Sequence, residues 1–471
     1  MKTPLEELMR WLTAPRENEN LEFKEANVQY DNTKLFRYCV ALANEGGGKL
    51  ILGVTDKPPR KIVGTSAFHT PAGIQSKIFD KLHFRVEVEE VVHLDGRVVI
   101  FHIPPRPHGT AYSLDGAYYM RSTDGLVPMS EDRLRQIFNE GKPDWLMQIA
   151  RDDCKEADVI RLLDTQSYYD LQNLAYPANR DSVLERFQNE KLIDYDGRTF
   201  SITNLGAILF GKQLDGFSGL FRKAPRVVVY DGPSKLATKS RLIGPGTKGY
   251  AIGFEGLIDV INTLIPANEV IGTALRREMK MFPEIAIREL VANALIHQDF
   301  NEIGASVTIE LYSDRIEISN PGIPIISPDR FIDGYQSRNE KLADLMRRIG
   351  ICEEQGKGVD KVILGAEVYQ LPAPDFRIGE RHTLAVMFAH KDFDEMDGKD
   401  RVRACYQHCA LRFLTNQKMD NQSLRERFKL PEYKAETVSR IIRDAIEQGK
   451  VKPDDPMNTS KRYARYVPYW A

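Results

Sequence analysis

The chain has 471 residues, 42% hydrophobic and 28% charged, with a formal net charge of −2. That length holds several domains with substantial cores, and the composition is that of globular protein rather than of a disordered chain. The near-neutral balance excludes a globally basic surface, so any nucleic-acid-binding face must be local.

Five cysteines, scattered and odd in number, fit a reducing compartment rather than a disulfide framework. Cys405, His408 and Cys409 share helical spacing but lack a partner cluster, so they read as helix residues and not as metal ligands. The opening MKTPLEELMRWL is amphipathic and acidic, unlike a signal peptide. No apolar run approaches the ~20 residues of a spanning helix, and the expected location is the cytoplasm.

A short helix is predicted at Leu5–Leu12, before Pro15. Val40 to Ala43 end a second helix, Gly46-Gly47-Gly48 turn, and Lys49 to Val54 form a strand that leads to Asp56. Three consecutive glycines allow either a helix-to-strand turn or a close approach to a ligand. Further strands are expected at Val98–Ile103 and Ala117–Arg121. The order E-x-x-x-x-E-F-K from Glu17, then A-L-A-N-E-G-G-G, then L-I-L-G-V-x-D resembles the Schlafen AlbA_2 domain over about Glu17 to Phe138. The resemblance implies an α+β domain associated with nucleic acid. Its RNA-cleaving members use three carboxylates, which match Glu17, Glu22 and Asp56 here. Carboxylates on adjacent elements can gather Mg²⁺ or Mn²⁺ and ready a water for in-line attack on a phosphodiester. Equally, Glu22 can pair with Lys24 or Arg121 on a sheet face, in a domain that binds without cutting. Lys24, Lys49, Lys57, Arg60, Lys61, Arg106 and Arg121 are the cations that could meet phosphates. Tyr112, Tyr118 and Tyr119 could stack on bases, or alternate on a sheet with one buried face.

Residues 143–215 read as helical with a winged-helix character, including a helix at Ser182–Lys191 and a hairpin turn at Asp196-Gly197. Gly206 to Lys212 has the spacing G-x-x-x-x-G-K. Its intervening residues are apolar and Gln213 follows instead of Ser or Thr, which indicates a buried helix end rather than a phosphate loop. Arg226–Tyr230 is an apolar strand, 232–249 a Gly/Pro/Lys/Arg-rich loop and Gly253–Pro266 a helix.

In EIAIRELVANALIHQDF, Glu284 to Phe300, the apolar residues recur at helical spacing and put Glu289 and Asn293 on one face. An Asn oxygen can ligate Mg²⁺ and a Glu can take a proton from an attacking water. Taken alone, the spacing also suits a solvated polar face. Strands at Ala305–Leu311 and Arg315–Ser319 follow, then the turn Asn320-Pro321-Gly322, then Glu354-Gln355-Gly356-Lys357-Gly358 at a helix start, then a strand with Thr383. Gly-x-Gly entering a helix can bring backbone N–H groups to a phosphate. This succession resembles the divergent GHKL-type (Bergerat) ATP-binding domain over residues 270–390. The resemblance implies Asn293 as Mg²⁺ ligand and Glu289 as general base. It implies Gly322 beside adenine, Gly356, Lys357 and Gly358 at the phosphates, and Thr383 in the closing strand. Asn320 stands where the family has an Asp that reads the adenine amino group. An amide is the weaker acceptor, so nucleotide binding is expected and turnover is left open.

Residues 392–400 form an acidic linker. Helices at Arg401–Leu414, Asn421–Phe428 and Ala435–Gln448, with a hairpin from Gly449, resemble a winged helix-turn-helix. The likeness puts Ser439, Arg440 and Arg443 on a helix facing the major groove and Lys450, Lys452, Lys461, Arg462 and Arg465 on the wing. A protein-binding winged helix fits the same residues.

The expected architecture is an α+β multidomain chain. It comprises an AlbA_2 nucleic-acid-binding or nuclease-like domain at 1–142, a helical winged-helix-like connector at 143–222, a GHKL-type α/β sandwich at 223–391 and a winged helix at 400–471. Two functions fit it. One is a metal-dependent RNase gated by ATP, in antiphage defence, with weak ATPase activity. The other is an ATP-responsive DNA-binding transcriptional regulator without nuclease activity. A homo-oligomer is expected by analogy with GHKL domains.

Overall fold

The computed structural model describes residues 3–12, 20–57, 59–122, 125–141, 144–236, 240–243, 246–271, 276–352, 358–455 and 464–471. The chain is α+β and divides into two compact units, Met1–Pro143 and Asp144–Ala471. Among the described residues, no helix is long and apolar enough to cross a membrane.

The first unit runs α1 (Leu5–Leu12), β1 (Leu21–Lys24), α2 (Asn32–Asn44), β2 (Gly48–Leu52), α3 (Pro71–Leu82), β3 (Glu87–His93) and β4 (Gly96–Ile103). Then come β5 (Ser113–Leu114), β6 (Ala117–Ser122), β7 (Gly125–Pro128) and α4 (Glu131–Glu140). The main sheet has the order β1-β2-β4-β3, with β1 parallel to β2 and the other pairs antiparallel. Both faces are covered, which is why β4 reads as a nearly continuous apolar run. Leu50, Leu52, Val99 and Phe101 pack with Leu35, Cys39 and Leu42 of α2 and Ile74 and Ile78 of α3. Their strand neighbours Ile51, Val98 and Ile100 point the other way, onto Leu8 and Leu12 of α1.

All three consecutive glycines are required by the backbone path, Gly46 by its φ of +93°. A Cβ on Gly48 would lie 2.3 Å from Asn20 O, and Gly47 has φ +87° with Pro105 N 2.8 Å from its Cβ position. The stretch is therefore the turn from α2 into β2.

The second unit begins with β8 (Ile149–Cys154), α5 (Glu156–Leu162), α6 (Thr165–Leu171), α7 (Arg180–Asn189), β9 (Ile193–Tyr195) and β10 (Phe200–Thr203), whose strands order β8-β10-β9. Next is α8 (Asn204–Phe210), buried at every residue. A Cβ on Gly206 would lie 2.1 Å from Leu192 O, so the G-x-x-x-x-G-K spacing belongs to a core helix.

The following elements are β11 (Arg226–Tyr230), β12 (Ser240–Ile243), α9 (Tyr250–Leu264), the β13–β14 hairpin (Ala267–Ile271, Arg276–Lys280) and α10 (Glu284–His297). After them run β15 (Thr308–Leu311), β16 (Arg315–Pro321), α11 (Glu340–Arg348), α12 (Gly358–Val368), β17 (Asp375–Ile378) and β18 (His382–Phe388). Six strands form one mixed sheet, β12-β11-β15-β16-β18-β17. Alternate residues Val227, Ile309, Leu311, Ile316, Ile318 and Met387 share a core with α10 and α12. The other strand positions carry polar and aromatic groups. There Tyr230 stacks on Tyr312 at 4.7 Å, and Lys235 pairs with the buried Glu310.

The chain closes with α13 (Gly398–Leu414), α14 (Asn421–Arg427), α15 (Ala435–Glu447), and the antiparallel pair β19 (Val451–Pro453) and β20 (Tyr466–Pro468). Met419 bridges to Tyr466, tying the turn before α14 to the hairpin. Cys405 and Cys409 are buried among Leu424, Val438 and Ile442 as core residues.

Candidate functional site

Helix α10 carries Glu289, Asn293 and His297 at successive i, i+4 positions, so they lie on one face. On β16, Asn320 follows Ile316 and Ile318 at period two and shares their inward side; Thr383 faces it on β18. These residues, with Gly358 at the start of α12 and a wall drawn from residues 324–338, line one cavity of about 130 Å³.

Glu289 is 6% exposed. Burial raises its carboxyl pKa, against the opposing charges of Lys361 and Arg288. The Arg288 guanidinium pairs with Glu255, Nη1 to Oε2 at 2.7 Å, and lies over the Phe254 ring. Burial, helped by Arg338, pushes the His297 imidazole down to about 4, so it is neutral at pH 7. Gly358 abuts this pair closely: a Cβ there would lie 2.6 Å from Glu289 Oε2 and 3.5 Å from Asn293 Nδ2. Only glycine lets the positive end of α12 approach the carboxylate and the amide this closely. Gly356 and Lys357 lie outside the described residues.

The Asn320-Pro321-Gly322 turn is held from both sides. Asn320 Nδ2 donates to Pro321 O at 3.2 Å, and Thr383 Oγ1 donates to Gly322 O at 2.9 Å. Gly322 has φ +96°, and a Cβ on it would meet Asp299 Cβ at 2.7 Å. Asp299, Arg338 and Asn339 complete this arrangement and were not singled out by sequence reasoning. Arg338 Nη1 donates to Asp299 Oδ2 at 2.8 Å, and Asn339 Nδ2 donates to Ile296 O and Gln298 O at 2.6 and 2.8 Å. They close the open carbonyl end of α10 with the pocket wall. The only sequence signal was polar residues, His-Gln-Asp and Ser-Arg-Asn, interrupting apolar runs.

In the first unit, β1 presents Glu22 and Lys24 on one face. Glu22 is 2% exposed and stands between two cations, Arg121 Nη2 at 2.5 Å and Lys24 Nζ at 2.8 Å. Lys24 Nζ is also 3.0 Å from Asp56 Oδ2, while Asp56 Oδ1 accepts from the Glu25 N–H at 3.1 Å. One ammonium therefore occupies the space between two of the three carboxylates proposed for metal. Burial pulls the Lys24 pKa down, but Glu22 and Asp56 more than offset it and leave it raised. Glu17 lies outside the described residues. Among the described residues, no three His, Cys, Asp or Glu side chains gather as a metal site.

Residues 17–130 match the family model "Schlafen, AlbA_2". The chain carries an AlbA_2 domain. Residues 304–388 match a second model, described as "Putative ATP-dependent DNA helicase recG C-terminal". That match holds Asn320, Gly322, Gly358 and Thr383 and begins after α10, so Glu289 and Asn293 lie before it. No curated protein matches the chain. Similar solved structures include two. The crystal structure of the DIP2311 protein from Corynebacterium diphtheriae is 17% identical over 96% of this chain and 92% of that one, with a TM-score of 0.43. The solution NMR structure of the N-terminal domain of a "Putative ATP-dependent DNA Helicase RecG-related Protein" from Nitrosomonas europaea is 18% identical, covering 25% of this chain and 88% of that one, with a TM-score of 0.19. At those scores neither likeness carries an argument.

Within the AlbA_2 domain, two of the expected phosphate-binding cations are turned inward. Arg121 is 5% exposed, bound to Glu22 and to Leu21 O, and Arg60 is 8% exposed with its guanidinium 4.5 Å above the Phe23 ring. Their charge is used inside the domain, on Glu22, the Leu21 carbonyl and the Phe23 ring. Arg106 likewise makes a two-bond pair with Glu140, at 2.6 and 2.7 Å. Lys57 and Lys61 are exposed, and Lys57 borders a cavity of about 500 Å³ lined by Lys24, Glu25, Tyr30, Thr55 and Asp56. Tyr112 stacks on Phe84 at 4.2 Å, while Tyr119 lies under Arg37. Asn44, unnoticed in the A-L-A-N run, fixes both tyrosines: its Nδ2 donates to Tyr112 O and Tyr119 O at 3.0 Å, and its Oδ1 accepts from the Tyr112 N–H at 2.8 Å.

In the terminal segment, Ser439, Arg440 and Arg443 are exposed on α15. The hairpin cations are more engaged. Lys450 pairs with Asp329, Lys452 donates to Ala471 O, and Arg465 pairs with Asp420 at 3.0 Å. Lys461 and Arg462 lie outside the described residues.

Proposed function

We propose that the chain is a nucleic-acid-binding regulator whose ATPase-related module takes ATP·Mg²⁺ as its effector. The observation that supports this most is the meeting of Glu289, Asn293, Asn320, Thr383 and Gly358 at one cavity facing the amino end of α12. The residues fit the group. The cradle that a Cβ at Gly358 would fill leaves room for backbone N–H groups to approach a phosphate. Asn293 is the residue to hold Mg²⁺, which when bound would offset phosphate charge. Asn320 sits at the end of β16 to accept from, or donate to, the base edge. Glu289, its pKa raised by burial, is a stronger proton acceptor than an ordinary carboxylate and is suited to orient a water beside Asn293.

On the nucleic-acid side, the Glu22 environment favours binding over cleavage. Its charge is already balanced by Arg121 and Lys24, and Lys24 stands between it and Asp56. Those residues do not fit a divalent ion as they stand, because a cation already takes the position where carboxylate repulsion would call for one. The exposed Arg440 and Arg443, in a three-helix-and-hairpin order, support a winged helix that contacts duplex DNA. Among the expected AlbA_2 cations, Lys57 and Lys61 are exposed and open to phosphates. Action as a homo-oligomer in the cytoplasm belongs to the same proposal. The RNase reading, with a role in antiphage defence, is favoured by the Schlafen match. It requires Glu17 to join and Lys24 to leave its carboxylates.

The test is to incubate the purified chain with RNA and with duplex DNA, under Mg²⁺ or Mn²⁺, with and without ATP, while calorimetry measures nucleotide binding. Duplex binding that responds to ATP, without strand cleavage, is the expected outcome. RNA cleavage that Asp56→Ala abolishes would replace the regulator with the nuclease. Absence of nucleotide binding would refute the effector site.

A further inference from the structure

The terminal helices are seated directly on two elements that line the nucleotide pocket. The first is the wall from Ile323 to Asn339, which gives Ile325, Phe331, Tyr335 and Arg338 to the cavity. Its 3-10 turn at Pro328–Arg330 meets the terminal module. Lys450 Nζ lies 2.5 Å from Asp329 Oδ2, the Tyr406 hydroxyl donates to Asp329 O, and the Arg330 guanidinium is 5.1 Å from the Trp470 ring. Ile332 of the same wall packs with Ile363 of α12 and Ala410 of α13.

The second element is α12 itself. Gly358 begins it against Glu289 and Asn293, and Glu367, near its other end, enters the terminal module. The span is about 14 Å at the helical rise of 1.5 Å per residue. Glu367 there meets His408 Nδ1 at 3.1 Å and Arg427 Nε at 3.4 Å, and Arg427 Nη2 donates to Leu371 O at 2.7 Å. The Arg427 side chain is 2% exposed and Glu367 15%. A charge pair that dry does not slide by small steps, because a partial break leaves a buried charge without its partner. Any displacement of the seam would therefore be all-or-none and not graded.

We propose that the nucleotide pocket and the terminal module are coupled binding sites, α12 and the Ile323–Asn339 wall being the shared elements. A nucleotide that moves either element changes the seating of the module. In the seated state Asp329 holds Lys450, a cation of the hairpin beside α15, so duplex phosphates compete with Asp329 for it. By linkage, each ligand shifts the other's affinity by the same factor. The inference rests on the reading that the pocket takes nucleotide and the terminal module takes duplex DNA.

The experiment uses the full chain. Anisotropy of a labelled duplex is measured with and without Mg²⁺ and a non-hydrolysable ATP analogue, and calorimetry measures the analogue with and without duplex. Hydrogen exchange over residues 398–471 is followed on adding the analogue alone. The expected result is a shift of about fivefold or more in both affinities, equal in size, with altered exchange at the seam. Asp329→Asn with Glu367→Gln should still bind each ligand, with the mutual shift reduced to less than about twofold. Both ligands binding independently, with exchange in 398–471 unmoved, overturns the coupling and leaves the proposed function standing. No binding of the analogue overturns both. Altered exchange without duplex binding supports the coupling and rejects only DNA as the module's ligand.

Discussion

Arg121→Met tests whether the AlbA_2 carboxylate is a balanced internal charge or part of a metal site. The change keeps most of the side-chain volume and removes one of the two cations on Glu22. Both side chains are buried, Arg121 2% and Glu22 3% exposed. Removing one partner of such a pair costs roughly 3–5 kcal/mol. Lys24 remains 2.8 Å from the carboxylate and is 25% exposed, so water reaches the surviving pair and the low end applies, about 3 kcal/mol. For a unit of this size that lowers Tm by on the order of 10 °C. The double change Glu22→Leu with Arg121→Met should recover most of the loss, since apolar replacement of a whole buried pair is often neutral. Trp11 reports this unit, lying 4.7 Å from Lys49 Nζ, and its emission can be followed during thermal unfolding after Trp145 and Trp470 are replaced by Phe. An unchanged Tm would refute the charge-balance reasoning. So would Arg121→Met regaining its stability in millimolar Mn²⁺, because the freed carboxylate would then be a metal ligand.

Four further outcomes are expected. Gly358→Ala, whose Cβ would lie 2.6 Å from Glu289 Oε2, should weaken nucleotide binding about tenfold or more in calorimetry while leaving the circular dichroism spectrum intact. Asn293→Ala should weaken nucleotide binding only when Mg²⁺ is present, and Glu289→Gln should retain binding but lose any phosphate release; hydrolysis at the wild-type rate in Glu289→Gln would remove the base assignment. His297 has its pKa lowered from 6.5 to about 4, so the unfolded chain binds the proton more tightly and the native state loses stability as pH falls from 6.5 towards 4; His297→Asn should remove on the order of 3 kcal/mol of that loss in urea titrations, and an identical pH profile would contradict it. Arg440→Ala and Arg443→Ala should each lower duplex affinity and reduce the log–log salt slope by about 1, whereas equal slopes would make α15 a protein-binding face.

Several features were legible in the sequence because they depend on neighbours along the chain. Helical spacing alone puts Glu289 and Asn293 on one face, and both line the cavity, where His297 joins them. Apolar residues within G-x-x-x-x-G-K already describe a buried helix, and α8 is buried throughout. The choice at Gly46-Gly47-Gly48 between turn and ligand contact was not a local matter. It depended on Asn20 and Pro105 lying beside the turn, and both are remote in sequence.

What only the tertiary structure decided is which charges are spent. Glu22 and Arg121 lie on strands far apart in the sequence, and a formal charge carries no record of whether its side chain ends in water or against a partner. Lys24 and Arg60 look like surface cations in the sequence, yet one bridges two carboxylates and the other lies over an aromatic ring. Asp299, Arg338 and Asn339 become one clamp only when the pocket wall folds back on α10. Glu367 reads as an ordinary helix-surface residue until the terminal module brings His408 and Arg427 to it. Periodicity sets the face a residue occupies, whereas the burial of that face and the partner it meets depend on strand register and on which elements cover it.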